Sequence, residues 1–259
     1  MADRIAGASS GSRWQEQLVL LASLPLFLIG WEVISRSGIV NARLFPPPSD
    51  VAIATWGWAR SGQLWTDLGM SVSRIAVGLT TGTTVGVAVG LATGQVRVVA
   101  NLLTPIFQIL RPIPPIAFVP IVILWFGLSE LGKYFLVFWG VFFTVWMAAH
   151  LGVRRVDPHY LRAARMLGTP EYRLFREILL PAALPVIFVG IRTAVSIAFY
   201  TLVAAELAGT FAGVAYRIDV AQQNLQIGQV MGGLLLLGLV SSLSDRLFEH
   251  VSRRLVWWS

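Results

Sequence analysis

The sequence contains no cysteine and only three histidines in 259 residues. Without thiols there is neither a disulfide framework nor a thiolate metal site. His150, His159 and His250 lie far apart with no ligand spacing, so no metal site is predicted. Lysine is almost missing too, since Lys133 is the single lysine beside nineteen arginines. Charged residues make up only 13% of the chain, and the acids are scattered singly. No clustered carboxylates or histidines are present to serve a membrane enzyme. The run from Gly127 to Lys133, GLSELGK, matches the first seven positions of a phosphate-binding loop. Tyr134 then stands where the magnesium-binding Ser or Thr belongs, and no strand-to-helix context surrounds it. This chain is therefore not expected to hydrolyse ATP or to carry a cofactor.

What is abundant is apolar surface. Hydrophobic residues make up 56% of the sequence, and the mean hydropathy is +0.70. Several runs approach the roughly 20 residues that a bilayer-spanning helix needs. The reading is an all-α integral membrane protein, one domain over 1–259. Six spans are predicted, at 18–34, 70–94, about 116–126, 134–151, 182–206 and 227–244. The third is short as written, so its start is placed within 99–110. Pro112, Pro114, Pro115 and Pro120 would then kink or interrupt it. Arg4 and Arg13 ahead of the first run resemble a signal peptide's start. The run is long and lacks a small-x-small cleavage site, which predicts a retained span. After Pro46–Pro48, residues 51–65 carry Trp56, Trp58 and Trp65 and suit an amphipathic helix on the membrane surface. The tail, with Arg253, Arg254, Trp257 and Trp258, suits an interfacial anchor.

The net charge of +7 and a pI near 10.7 could signal a nucleic-acid partner. The arginines flank apolar runs instead of studding a soluble aromatic face, so none is expected. Six spans place both ends on one side. Counted on that side are thirteen cations, comprising Arg4, Arg13, Arg97, Arg111, six in the segment 154–181, Arg246, Arg253 and Arg254. The other side has five: Arg36, Arg43, Arg60, Lys133 and Arg217. Positive charge stays inside, so segments 1–16, 153–181 and 245–259 are predicted to be cytoplasmic.

Three features inside the apolar runs stand out. Gly78, Gly82, Gly86, Gly90 and Gly94 recur every fourth residue of the second span, a series of G-x-x-x-G steps that suits close packing of another helix. Arg74 near the start of that span is read as a snorkelling end charge in preference to a lining residue. Arg192 lies within span five, with Ser196 and Tyr200 following on its face. These three, with Glu206 and Gly209 near the outer end, are candidates for the translocation pathway. Pairing of Arg192 with a helix end or a lipid phosphate is an equal alternative.

The polar segment 154–181 interrupts this apolar chain with six arginines: Arg154, Arg155, Arg162, Arg165, Arg173 and Arg176. Asp157-Pro158 reads as an N-cap followed by a first-turn proline, and Thr169-Pro170-Glu171 repeats the device. Gly168 between them suits a left-handed C-cap. A short helix, a glycine turn and a second helix running into span five are predicted.

Within it, Arg162, Ala163, Ala164, Gly168, Ile178, Leu180 and Pro181 stand at the spacing of the Glu-Ala-Ala…Gly…Ile-x-Leu-Pro loop of bacterial ABC-transporter permeases. The sequence resembles that family from FPPPSD near residue 46 to its C-terminus. RPIPPIAFVP at 111–120 and LVAAELAG at 202–209 are similar to permeases for sulfonates, taurine and nitrate. The resemblance implies the type I importer permease fold, six spans with a coupling helix between spans four and five. It implies a second permease copy, two ATPase subunits carrying ATP and Mg, and a periplasmic or lipid-anchored substrate-binding protein, in the bacterial inner membrane. On that reading small Ala163 and Ala164 let the coupling helix sit deep in the ATPase, Gly168 sets the turn, and Pro181 fixes where span five begins. Arg162 departs from the family's Glu and implies a different local partner. The same architecture could import a thiamine-precursor pyrimidine, a flavin or another small metabolite. An ion-gradient-driven transporter would instead show inverted repeats and acids at mid-depth. Glu32 and Glu206 lie near span ends, and the polar segment is not repeated.

Overall fold

The computed structural model describes residues 10–255, and every regular element among them is helical. In order these are α1 (Ser10–Arg36), α2 (Pro48–Arg60), α3 (Gln63–Gln95), α4 (Arg97–Leu110), α5 (Val119–Phe126), α6 (Glu130–Arg154), α7 (Pro158–Met166), α8 (Glu171–Arg173), α9 (Leu180–Leu207), α10 (Val214–Gln223) and α11 (Ile227–Leu255). A 3₁₀ turn, Pro115–Phe118, leads into α5, and a π-helical stretch, Leu174–Leu179, joins α8 to α9. Among the described residues four helices are long and apolar enough to cross a membrane: α3, α6, the continuous run Glu171–Leu207, and α11. The pair Arg97–Leu110 and Pro115–Phe126, bent by 88°, makes a fifth if counted as one. The predicted interruption of span three is therefore present. α1 contains the predicted run 18–34 but is not in that set. Residues 1–9, with Arg4, and the proposed Trp257–Trp258 anchor lie outside the described residues.

The glycine series makes the central joint. Gly78, Gly82, Gly86, Gly90 and Gly94 meet Val137, Val141, Val145, Ala149 and Val153 of α6 in turn. A Cβ on Gly78 would lie 2.5 Å from Val137 Cβ, and one on Gly86 would lie 3.0 Å from the Phe142 carbonyl oxygen. Only hydrogen fits there. Both partners advance four residues at a time in the same direction, so α3 and α6 are parallel. Parallel neighbours need a return crossing between them, and α4 with α5 is the chain that makes it. α9 packs antiparallel on the other face of α6. Gly140 meets Thr201, Gly190 meets Ala148, and Gly152 meets Ala183. The core lies along these three helices, where Leu136, Val137, Val141, Val145 and Trp146 are wholly buried. α11 runs antiparallel to α9, with Phe188 against Phe248. The C-terminal end of α11 thus shares one end of the bundle with the α6–α9 connection, here called the loop end.

Three expectations are corrected. The surface helix at 51–65 is split at Gly62 into α2 and the start of α3. Trp58 is buried and donates its indole N–H to Asp67, while Trp56 and Trp65 stay exposed. Span six does not stop at 244, because α11 continues unbroken to Leu255. Arg111, counted with the loop-end cations, lies in a cavity lined by Trp139, Gly140, Phe143 and Thr144, the middle of α6.

Replacing Gly86 by Leu should overpack the joint at a cost of about 1–3 kcal/mol or more. Gly69→Ala, also in α3 but with nothing within 4 Å, should be neutral or mildly stabilising. Thermal unfolding of the two purified variants in one detergent checks the contrast.

Candidate functional site

Two constructions stand out at opposite ends of the bundle. At the loop end, α7 begins as its sequence requires. Asp157 Oδ1 accepts a hydrogen bond from the His159 amide at 2.8 Å, and Pro158 occupies the first helical position. It ends on Gly168 at φ +75°, with Thr169 N–H donating to Ala164 O and Gly168 N–H to Arg165 O. That pair of bonds is a Schellman stop, which needs a left-handed residue where a Cβ is strained. Thr169 does not cap α8 as predicted. Its amide serves the Schellman turn, and the cap position falls on Pro170 with no side-chain bond.

Arg165 closes the turn. Its Nε donates to Glu171 Oε1 at 2.9 Å and Nη2 to Oε2 at 3.4 Å, bridging α7 to α8. Glu171 holds the Arg165 proton above the usual arginine range, through that hydrogen bond first. Ala164 is buried beneath the turn, whereas Ala163 faces outward. The small size of Ala164 therefore serves the loop's own packing, in contrast to the expectation that both alanines admit a partner. Arg162 is exposed and approaches only the His159 ring, at 3.4 Å. Ile178, Leu180 and Pro181 are half-buried where the loop joins α9. The helix widens there into π geometry, and the Leu180 amide reaches back to Phe175 O. Pro181 and Pro185 follow, and each withholds an amide donor, which suits a break in the regular ladder. Leu179, behind the widened turn, packs with Ala149, Val153, Ala183 and Ile187, so the loop is seated on α6 and α9. Tyr160, Met166 and Leu167 project from it, the last two 87% and 85% exposed.

At the far end is a buried ion cluster that the sequence reading did not assemble. Arg74 is not a snorkelling end charge; it is fully buried. Its Nε and Nη2 grip the Glu130 carboxylate at 2.7 and 2.8 Å. Nη1 donates to Glu206 at 2.8 Å and to Ala212 O at 2.7 Å, and Nη2 also donates to Thr210 at 2.9 Å. All five guanidinium N–H groups are thereby matched. Glu206 also accepts from Ser71 and from the Ala215 amide. Lys133, the lysine of the false phosphate loop, is buried and pairs with Glu130 at 2.9 Å. Asp67 accepts from Arg217, from Trp58 and from the Gly213 amide. Three cations and three carboxylates balance, so the cluster is neutral, with the Arg74 guanidinium saturated at its centre. It locks α3, α6, α9 and α10 together. The available signal was an arginine inside one span with Glu206 at the end of another, since intramembrane charges pair with one another.

The remaining pathway candidates do not converge on a ligand site. Arg192 binds Asp245 through Nε and Nη2 at 2.9 and 2.8 Å, and Glu249 through Nη2 at 2.8 Å. Both acids lie on α11, so this arginine pins α9 to α11. Ser196 is half-buried one turn on, and Tyr200 is 75% exposed. Gly209 adopts φ +98° beside Leu128. No group of three or more potential metal ligands occurs among the described residues.

Breaking one partner out of a buried ion pair costs about 3–5 kcal/mol. Arg74→Ala and Glu206→Gln should each lower the midpoint of thermal unfolding by on the order of 10 °C. Arg192→Ala, at a half-exposed pair, should lower it much less.

Comparison with known proteins adds a second kind of finding. Residues 82–257 match the family described as binding-protein-dependent transport system inner membrane component. The chain is 34% identical over 246 residues to the aliphatic sulfonates transport permease protein SsuC of Bacillus subtilis, covering 95% of this chain and 88% of that one. It is 31% identical over 254 residues to the taurine transport system permease protein TauC of Escherichia coli, covering 95% and 92%. Its fold is similar to a chain of the MetNI methionine ABC transporter in inward-facing form, with a TM-score of 0.55 at 20% identity over 78% of this chain and 96% of that one.

Proposed function

The chain belongs to the inner-membrane components of binding-protein-dependent transport systems, and from that premise we propose how it works and what it carries. It is the translocation subunit of an ABC importer. In this reading two copies pair to enclose one pathway, and each has six spans with both termini cytoplasmic. Two ATPase subunits bind ATP and Mg below, and a periplasmic or lipid-anchored binding protein delivers substrate above, at the bacterial inner membrane. The substrate is a small anion of the sulfonate, taurine or nitrate kind, by analogy with what SsuC and TauC are named for.

The segment 153–181 is the coupling element. The observation that carries this is mechanical. Tyr160, Met166 and Leu167 present an apolar face on a loop held by the Arg165–Glu171 bridge and the Gly168 stop. Beyond the Gly168 turn, the second half of the loop is continuous with α9 in one helical run of 37 residues, Glu171–Leu207. A partner that grips the face moves the span, since no flexible linker separates them. Arg162 is free of any carboxylate within the loop and points outward, which suits an acid on the ATPase. The far-end cluster then holds the outer ends of α3, α6 and α9 as one unit while the loop end is driven.

The test is reconstitution in lipid with the co-encoded ATPase and binding protein. One of taurine, alkanesulfonates or nitrate should stimulate ATP hydrolysis. A pyrimidine or flavin as the sole stimulant would reassign the substrate. Transport that collapses with an uncoupler and needs no ATPase would point to a gradient-driven carrier. Gly168→Leu strains the turn by about 1–2 kcal/mol and should cut substrate-stimulated ATPase activity on the order of tenfold. Basal hydrolysis by the ATPase alone should be unchanged.

A further inference from the structure

The bend between α4 and α5 encloses something the function has not yet used. Pro112, Pro114 and Pro115 end α4 and force the 88° turn, because none can donate to a helical ladder. In a bilayer such a break is tolerated where it is buried in protein or lines a cavity. Here it does line one, of about 200 Å³, with Arg111 and Pro114 on one wall, Trp139 and Thr144 on α6, and Ile197 on α9. Trp139 is nine residues from the start of α6 and Thr144 ten from its end. At the rise of an α-helix, the cavity is therefore about 14 Å from either end, near mid-depth.

Three arginines are held against spans within this bundle. Arg74 has five hydrogen bonds and Arg192 has three, all to groups of this chain. The Arg111 amide donates to Phe107 O, but its side chain has neither a hydrogen bond nor an ion pair to the described residues, and the residue is exposed. A charge at mid-depth is costly and belongs in a bundle interior or a watered cavity, facing something it binds. Beside it, the Trp139 indole N–H is shut off from solvent and has no acceptor. Thr144 already donates its hydroxyl to Gly140 O. No carboxylate lines the cavity. The unmet chemistry that a molecule in the cavity can reach is thus one guanidinium without an acceptor.

We propose that this elbow is the anion subsite of the pathway. Arg111 takes the oxyanion head group of the passing substrate, and the Trp139 ring forms part of the wall beside it. The proposal rests on the small-anion reading above and gives it a location. A guanidinium presents paired N–H groups that match two oxygens of a sulfonate or carboxylate-like head. At about 200 Å³ the cavity has room for a head group on a short stem. A single cation in an open cavity also holds its ligand weakly enough to release it, as conduction requires. Arg192, by contrast, is occupied by Asp245 and Glu249 and is a structural tie.

The experiment is uptake of labelled taurine, ethanesulfonate and nitrate into proteoliposomes that hold the whole complex, with saturating binding protein outside. Arg111→Gln should cut uptake at least about tenfold, the scale of one charge-assisted hydrogen bond. Arg111→Lys keeps the charge but loses the paired N–H groups, so it should fall between the parent and the Gln variant, and it carries the test if the Gln variant fails to assemble. Uptake by Arg111→Gln within about twofold of the parent, or a Lys variant as inactive as the Gln one, would overturn the subsite. A parent complex that moves none of the anions would instead remove the small-anion reading itself. Loss confined to the sulfonates or to nitrate identifies which head group the subsite serves.

Discussion

The bundle depends on how closely α3 can lie against α6. Lipid tails are as apolar as leucine, so no water-driven force presses membrane helices together, and close van der Waals fit has to do that work. Five glycines at four-residue spacing remove every Cβ from one stripe of α3, and the valines of α6 fill the space. Because the steps run in the same sense on both helices, the joint also dictates their parallel direction. From that follows the need for a return segment, and hence the position of the proline-broken α4–α5 pair. α9 then closes the other face of α6, using Gly140, Gly152 and Gly190 in the same manner.

Charge is handled by the same logic in three places. The Arg74 guanidinium is saturated and its cluster is neutral, which is the condition under which buried ions are tolerated. Its members come from α3, α6, α9, the 208–213 connection and α10, so it acts as a rivet across the far end. Arg192 with Asp245 and Glu249 is a smaller rivet between α9 and α11. Arg111 breaks the pattern. It stands at a proline elbow where backbone donors are missing and an indole N–H is idle. Of these three arginines it is the one whose side chain has no partner among the described residues, and that is the observation behind the proposed anion subsite.

The loop between α6 and α9 is built for stiffness. An N-cap, a Schellman stop and the Arg165–Glu171 bridge hold it in one shape, and Leu179 roots it in the core. The π-widened turn before Pro181 marks the transition from loop to span. Force applied at the exposed Met166 and Leu167 therefore reaches α9 with little compliance. The far-end rivet lies at the other end of that helix, through Glu206, so loop and cluster share a single lever.

Much of this was written locally. Apolar run lengths identify an all-helical membrane protein, and the Asp157 cap and Gly168 stop follow from residues that act on their own neighbours. The glycine stripe announces a packing face, and the prolines at 112–115 announce a broken span. Local patterns could not say which helix the stripe meets, or that Ala164 faces inward while Ala163 does not. Arg74 and Arg192 each read as an isolated cation in an apolar run. Their partners, Glu130, Glu206, Asp245 and Glu249, lie more than fifty residues away in the chain. Composition and periodicity report what a segment does beside its own neighbours, and these determined the all-helical class, the long apolar helices and the caps of the 154–181 segment. Which charges are neutralised, and which one is left open at mid-depth, depends on distances between segments, and only the tertiary structure decided it.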